Sequence, residues 1–189
     1  VVKEIGNGAY AVTTKVYRDG KGHHAKLLLI DTILWYDIIL PSMLKLHQYI
    51  PLSGEGLALK TSFIKSIGGF PRKLTEDAYL AIILAEKNSK VTYLSRTFIV
   101  EKSPRNLFSQ IKQRIRWFQG YYECLFTLIK KLRSLGLRKS ITLLITFMSP
   151  IAAIATMISH TILITYWLAY VVGLNNIVLA IRSFYLPPI

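Results

Sequence analysis

Cysteine is nearly absent from the chain. Cys124 stands alone in 189 residues, which excludes an intrachain disulfide and a cysteine-rich metal site and fits a reducing compartment. Acids are scarce as well, ten against 24 Lys and Arg, for a formal net charge of +14. None of the ten has the Asp-x-Asp spacing that a carboxylate pair for a divalent cation would need. The sharpest absence is of charge itself: residues 140–181 contain no Asp, Glu, Lys or Arg, and only His160 there can ionise. The chain also opens without Met, signal peptide or hydrophobic start, and reads as a fragment of a longer protein.

An uncharged block of that length exceeds the roughly 20 apolar residues that cross a bilayer. Pro150 within it points to two spans, or to one kinked span with a partly interfacial lead-in. The basic cluster Lys130, Lys131, Arg133, Arg138 and Lys139 directly precedes the block. By the positive-inside rule that flank, and the soluble part with it, is cytoplasmic. Such an excess of base could serve nucleic acid or anionic lipid. Its position favours membrane lipids, and no nucleic-acid partner is expected.

Residues 1–16 alternate as a strand would, with Asn7-Gly8 as a hairpin turn. "RDGKGHH" is a loop, where His23 and His24 read as solvated rather than as metal ligands. Residues 25–49 are long and apolar, helical with an interruption at Pro41. A short strand around Ala58 and a helix over residues 61–67, closed by Gly68-Gly69, come next. "KLTEDAYLAIILAEK" is a helix with Thr75 as N-cap and Glu76 and Asp77 in its first turn. "KVTYLSRTFIVEK" is a strand. From Pro104 a basic, aromatic helix runs to Gly136.

Two features of these helices admit chemical readings beside structural ones. Glu76 and Asp77 can cap a helix or do acid–base work. Gln113, Arg116 and Trp117 of "QRIRW" are spaced i, i+3, i+4 and share one face. An amide, a guanidinium and an indole there suit a sugar phosphate, the guanidinium as a fork for phosphate oxygens and the indole as a plate for a sugar ring. They equally suit an interfacial helix at the lipid headgroups.

In one order, "LSGEGLALK", "IGGFP", "TED" and "QRIRW", followed by a hydrophobic block, resemble the membrane-integrated, family-2-type inverting glycosyltransferases, the group of cellulose, hyaluronan and chitin synthases. The resemblance implies an α/β fold: the C-terminal half of a GT-A, Rossmann-like domain over residues 1–103, an interfacial helix over 104–139, and transmembrane helices over 140–189. It implies sugar transfer, with inversion, from a nucleotide-sugar donor, a UDP-sugar first of all, to a glycan or lipid-linked acceptor. Asp77 would be the general base, with Glu76 and Thr75 placing it. Arg116 and Gln113 would face the diphosphate, and Trp117 would stack on the acceptor sugar. Ser53, Gly54 and Glu55 match the loop that approaches the acceptor, and Gly68, Gly69 and Phe70 a structural turn near the site. Arg114 is left as a surface or lipid-facing charge.

Two departures stand against the pattern. Glu55 occupies a place where a small or apolar residue is expected. The Asp-x-Asp for Mg²⁺ or Mn²⁺ is missing, and is expected upstream with the donor-binding half. The alternative is a catalytically incomplete, membrane-anchored scaffold or binding protein derived from such an enzyme.

Overall fold

The computed structural model describes residues 1–104, 106–174, 176, 177, 179 and 181. Residues 182–189 of the expected membrane segment lie outside them, as does the side chain of His24. The chain is mixed α/β. In order it forms α1 (Val2–Gly6), β1 (Ala11–Asp19), α2 (His23–Ile33), a π-helical turn (Leu34–Ile39), α3 (Leu40–His47), β2 (Leu57–Leu59), α4 (Thr61–Ser66), α5 (Glu76–Glu86), β3 (Val91–Lys102), α6 (Leu107–Leu135) and α7 (Leu137–Val172). These residues fall into two compact units, Val1–Phe147 and Met148–Ile189.

The first unit is built on a three-stranded sheet in the order β2-β1-β3. β2 pairs antiparallel with β1, and β3 pairs parallel with it. The β1–β3 register shifts between Thr14 and Lys15, because three residues of β3, 95–97, bulge out between Leu94 and Phe98. The Thr14 hydroxyl closes the bulge, donating to the Leu94 and Thr97 carbonyls. Beyond it Arg18 stands opposite Glu101.

Two cores hold the sheet. Val16 packs with Tyr36, Leu40, Met43 and Ile50 under the α2–α3 segment. The larger core joins Phe63 of α4, Leu80 and Leu84 of α5, Leu128 of α6 and Leu143 and Phe147 from the start of α7. α5 is apolar almost all round, with Ala78, Leu80, Ala81, Ile82, Leu84 and Ala85 buried, as a helix enclosed between layers must be.

Two expectations need correction. Residues 2–6 form a helix, and Asn7-Gly8 ends it instead of turning a hairpin: the Asn7 N–H bonds the Lys3 carbonyl at 2.9 Å and Gly8 takes φ +88°. Over so short an apolar run, periodicity does not separate helix from strand. Pro41 does not break its helix. The wide π-turn ends just before it, so that the missing proline N–H falls in the first turn of α3, where it has no bond to lose. Pro150 lies inside a single helix, Leu137–Val172, as the one-span alternative expects. The basic helix starts slightly later than expected, with Asn106 as N-cap accepting the Ser109 N–H at 2.8 Å.

Candidate active site

The "TED" segment enters α5 with its threonine turned away. Thr75 occupies the N-cap position, yet its hydroxyl makes no cap bond, contrary to the expectation from its residue type. The side chain is buried against α6, with Oγ1 3.7 Å from Cys124 Sγ. Gly120 makes this approach possible, since a Cβ there would lie 2.4 Å from Thr75 Cγ2 and Oγ1. Asp77 serves the helix end instead, its Oδ1 accepting the Ala78 N–H at 2.8 Å.

The other Asp77 oxygen, Oδ2, accepts the Gly54 N–H at 2.6 Å. This half-buried carboxylate is therefore held by two backbone donors from two segments. Burial pushes its pKa above the ordinary aspartate value, while the Ala78 and Gly54 N–H groups pull it down and the Glu76 charge adds to the rise. Glu76 itself is exposed.

The loop of residues 53–56 that supplies Gly54 is fixed at both ends. Ser53 Oγ lies 2.8 Å from the hydroxyl of buried Tyr36. Gly56 has φ +65°, and a Cβ on it would lie 2.7 Å from Thr14 Cγ2. Its carbonyl accepts the Thr14 N–H at 3.2 Å. Glu55 reaches Arg18 at 2.5 Å. Burial pushes the Glu55 carboxyl up to about 7, with the Arg18 charge opposing and Glu101 adding to the rise.

On α6, Arg116 is exposed, and Gln113 and Trp117 are half-buried. No bond from the Arg116 guanidinium is seen among the described residues. Gly120, where α6 touches Thr75, lies four residues beyond Arg116, about 6 Å along the helix axis. Next to it Tyr121 is close enough to Asp77 to feel its charge, though burial is the larger cause of its raised pKa. Arg114 is no free surface charge: it pairs with Asp31 at 2.7 Å and lies 5.9 Å from the Trp117 ring. Arg18, Tyr36, Gly120 and Tyr121 were not singled out from the sequence. Gly120 alone left a trace, as a small residue three after Trp117 on the same helical stripe.

An open cleft of about 440 Å³ lies beside Asp77. Leu57, Leu59, Ile64 and Phe70 line it, and Glu76 and Asp77 stand on it. The described residues do not fit a Mg²⁺ or Mn²⁺ site. Asp77 is engaged by backbone donors, and Glu55 and Glu101 share Arg18. No cluster of three His, Cys, Asp or Glu able to hold a metal forms among the described residues.

The model of one protein family, described as glycosyl transferase family group 2, matches residues 3–182. No curated protein matches the chain. With a mixed α/β domain, a tethered carboxylate at a helix start and a family match over nearly its whole length, the chain belongs to glycosyl transferase family group 2, whose chemistry is sugar transfer.

Proposed function

We propose that the chain transfers a sugar from a nucleotide-sugar donor, a UDP-sugar first of all, to a hydroxyl of a glycan or lipid-linked acceptor, inverting the anomeric centre. The observation that carries this reading is the Asp77 carboxylate, fixed by Gly54 and Ala78 at the edge of an open cleft. Its raised pKa makes it a stronger base than an ordinary aspartate once ionised. The acceptor oxygen attacks the anomeric carbon as its proton passes to Asp77. The bond from that carbon to the diphosphate breaks on the opposite face, and its electron pair leaves with the nucleotide. General-base help of this kind contributes typically 10²–10⁴ in rate.

Thr75 and Glu76 act by placing Asp77, the first as a packing contact on α6. Arg116, exposed and without a bond among the described residues, is available to the departing diphosphate, with Gln113 beside it. Trp117 offers a ring to the acceptor sugar. Ser53 and Glu55 support this site through Tyr36 and Arg18 as much as through substrate.

Two helices are long and apolar enough to cross a membrane, Ala25–His47 and Leu137–Val172. Equal shares of the two windows, 28%, are buried, and we assign a crossing to α7, the one that directly follows the basic cluster. The first segment buries Tyr36, Leu40 and Met43 in the core beneath β1. In α7 the polar side chains turn back onto their own helix: Thr156, Thr161 and Thr165 each donate to the carbonyl four residues earlier, and His160 Nδ1 lies 2.8 Å from the Thr156 carbonyl. Such internal satisfaction is what lipid demands. The basic residues Arg138 and Lys139 at its start support a catalytic part on the cytosolic face.

The test is to incubate the protein in lipid vesicles with α-linked nucleotide sugars and a panel of free and lipid-linked sugar acceptors that offer a hydroxyl. A β-linked product, read from its anomeric proton coupling, is expected. An α-linked product, or transfer at the wild-type rate by Asp77→Asn, would sink the reading.

A further inference from the structure

Arg18 is buried, 6% exposed, near the end of the central strand. Its guanidinium spans both neighbours of that strand. Nη2 donates to Glu55 Oε1 in the 53–56 loop at 2.5 Å, and Nη1 lies 2.9 Å from Glu101 Oε2 on β3 as an ion pair without hydrogen-bond geometry. The β-bulge at Thr14 sets this up, because the shifted register brings Glu101 opposite Arg18. A planar guanidinium can hold two carboxylates at a fixed angle, which an ammonium cannot. Stability is a poor reason for such a group, since a buried ion pair is often matched or bettered by apolar packing. Placement is a better one. The residue before Glu55 is Gly54, and its N–H is the donor on Asp77 Oδ2.

We propose that Arg18 is a positioning residue for Asp77: by gripping Glu55 against the end of β1 it holds the 53–56 loop where the Gly54 N–H meets the Asp77 carboxylate. The consequence for rate rests on Asp77 being the base. The mechanical link from Arg18 to Asp77 does not. Arg18 reaches Asp77 through two residues and touches no substrate. The ionisable groups near Asp77 are Glu76 on its own helix and Tyr121 and Cys124 on α6, and among the described residues none of them is hydrogen-bonded to Arg18 or Glu55.

The test titrates the side-chain carboxyls of ¹³C-labelled aspartate in the full chain, held in detergent micelles, with Asp77→Asn identifying the Asp77 signal. In Arg18→Met and in Glu55→Ala the Gly54 donor is released while Asp77 stays buried. Its titration is expected to move up by about one pH unit in each. Should Arg18→Met fail to fold, Glu55→Ala decides, since it leaves Arg18 paired with Glu101. An Asp77 titration unchanged from wild type in the folded variants would overturn the proposal. The same preparations are assayed for transfer from UDP-glucose, UDP-N-acetylglucosamine and GDP-mannose. Full activity in Asp77→Asn would overturn the base reading and leave the titration to judge Arg18. Loss of activity in Asp77→Asn with an unmoved titration in Arg18→Met would overturn the role of Arg18 alone.

Discussion

The start of α5 and the first half of α6 both carry polar groups assigned to the same reaction, and they are built in opposite ways. At α5 Thr75 and Asp77 are tied down, while Glu76 is exposed. Thr75 is packed on Gly120, Asp77 takes two backbone N–H bonds, and the loop that supplies one of them is itself pinned by Tyr36, Arg18 and Thr14. At α6 the side chains stand open. Arg116 is exposed, and so are Leu107, Phe108, Ile111 and Ile115 in the two and a half turns before it. A base must sit within hydrogen-bond reach of one hydroxyl and gains from preorganisation. A cation meeting a mobile diphosphate can be recruited when the donor arrives. On the proposed roles, the base is held by fixed backbone donors, while the cation that would meet the diphosphate stands open to solvent.

The comparison predicts a hierarchy of effects. Arg116→Ala should lower kcat for transfer by about 10²–10³, the usual consequence of losing a donor aimed at developing charge. Melting should be unchanged, and Lys112→Ala, another exposed cation on α6, should leave transfer alone. Equal losses in both variants would mean only that the helix needs net charge. Gly120→Ala should act through the tied-down side, destabilising the protein by about 1–3 kcal/mol as its new Cβ forces Thr75 away. Denaturant unfolding would measure this, and adding Thr75→Ala should recover part of the loss.

A smaller effect separates the two sides by pH. Asp77 must be ionised to accept a proton, so transfer should rise with pH through a midpoint above the ordinary carboxylate range of about 4. Stability runs the other way. An aspartate whose folded pKa is raised stabilises the native state below its unfolded pKa, and that contribution is lost as pH rises through the folded value. The melting difference between wild type and Asp77→Asn should therefore shift in favour of Asn as pH rises. The smallest effect is expected at Lys131→Ala, which breaks a partly exposed pair with Glu86. It should cost no more than about 1 kcal/mol in unfolding and leave transfer untouched.

Much of this architecture could be read from residue pattern. β2, α4, α5 and β3 lie where alternation, glycine punctuation and β-branched content put them, and "TED" opens a helix as its acids suggest. What escaped was set by contacts distant in sequence. The Thr75 hydroxyl leaves its cap because a glycine 45 residues later admits it to α6. The partners of Arg18 lie 37 and 83 residues away, so nothing in "VYRDG" marks it as buried. Pro41 is absorbed because the preceding turn widens, which no local propensity encodes. Glu55, odd beside a sugar, is explained by the guanidinium it meets.

Whether the carboxylate at the start of α5 does chemistry or only ends a helix is tested most directly by one variant read two ways: Asp77→Asn, assayed for sugar transfer and for melting temperature in the same preparation at neutral pH. Transfer lost by 10² or more with melting unchanged or raised is the result this account predicts. Transfer retained with melting lowered would make Asp77 a cap and contradict it.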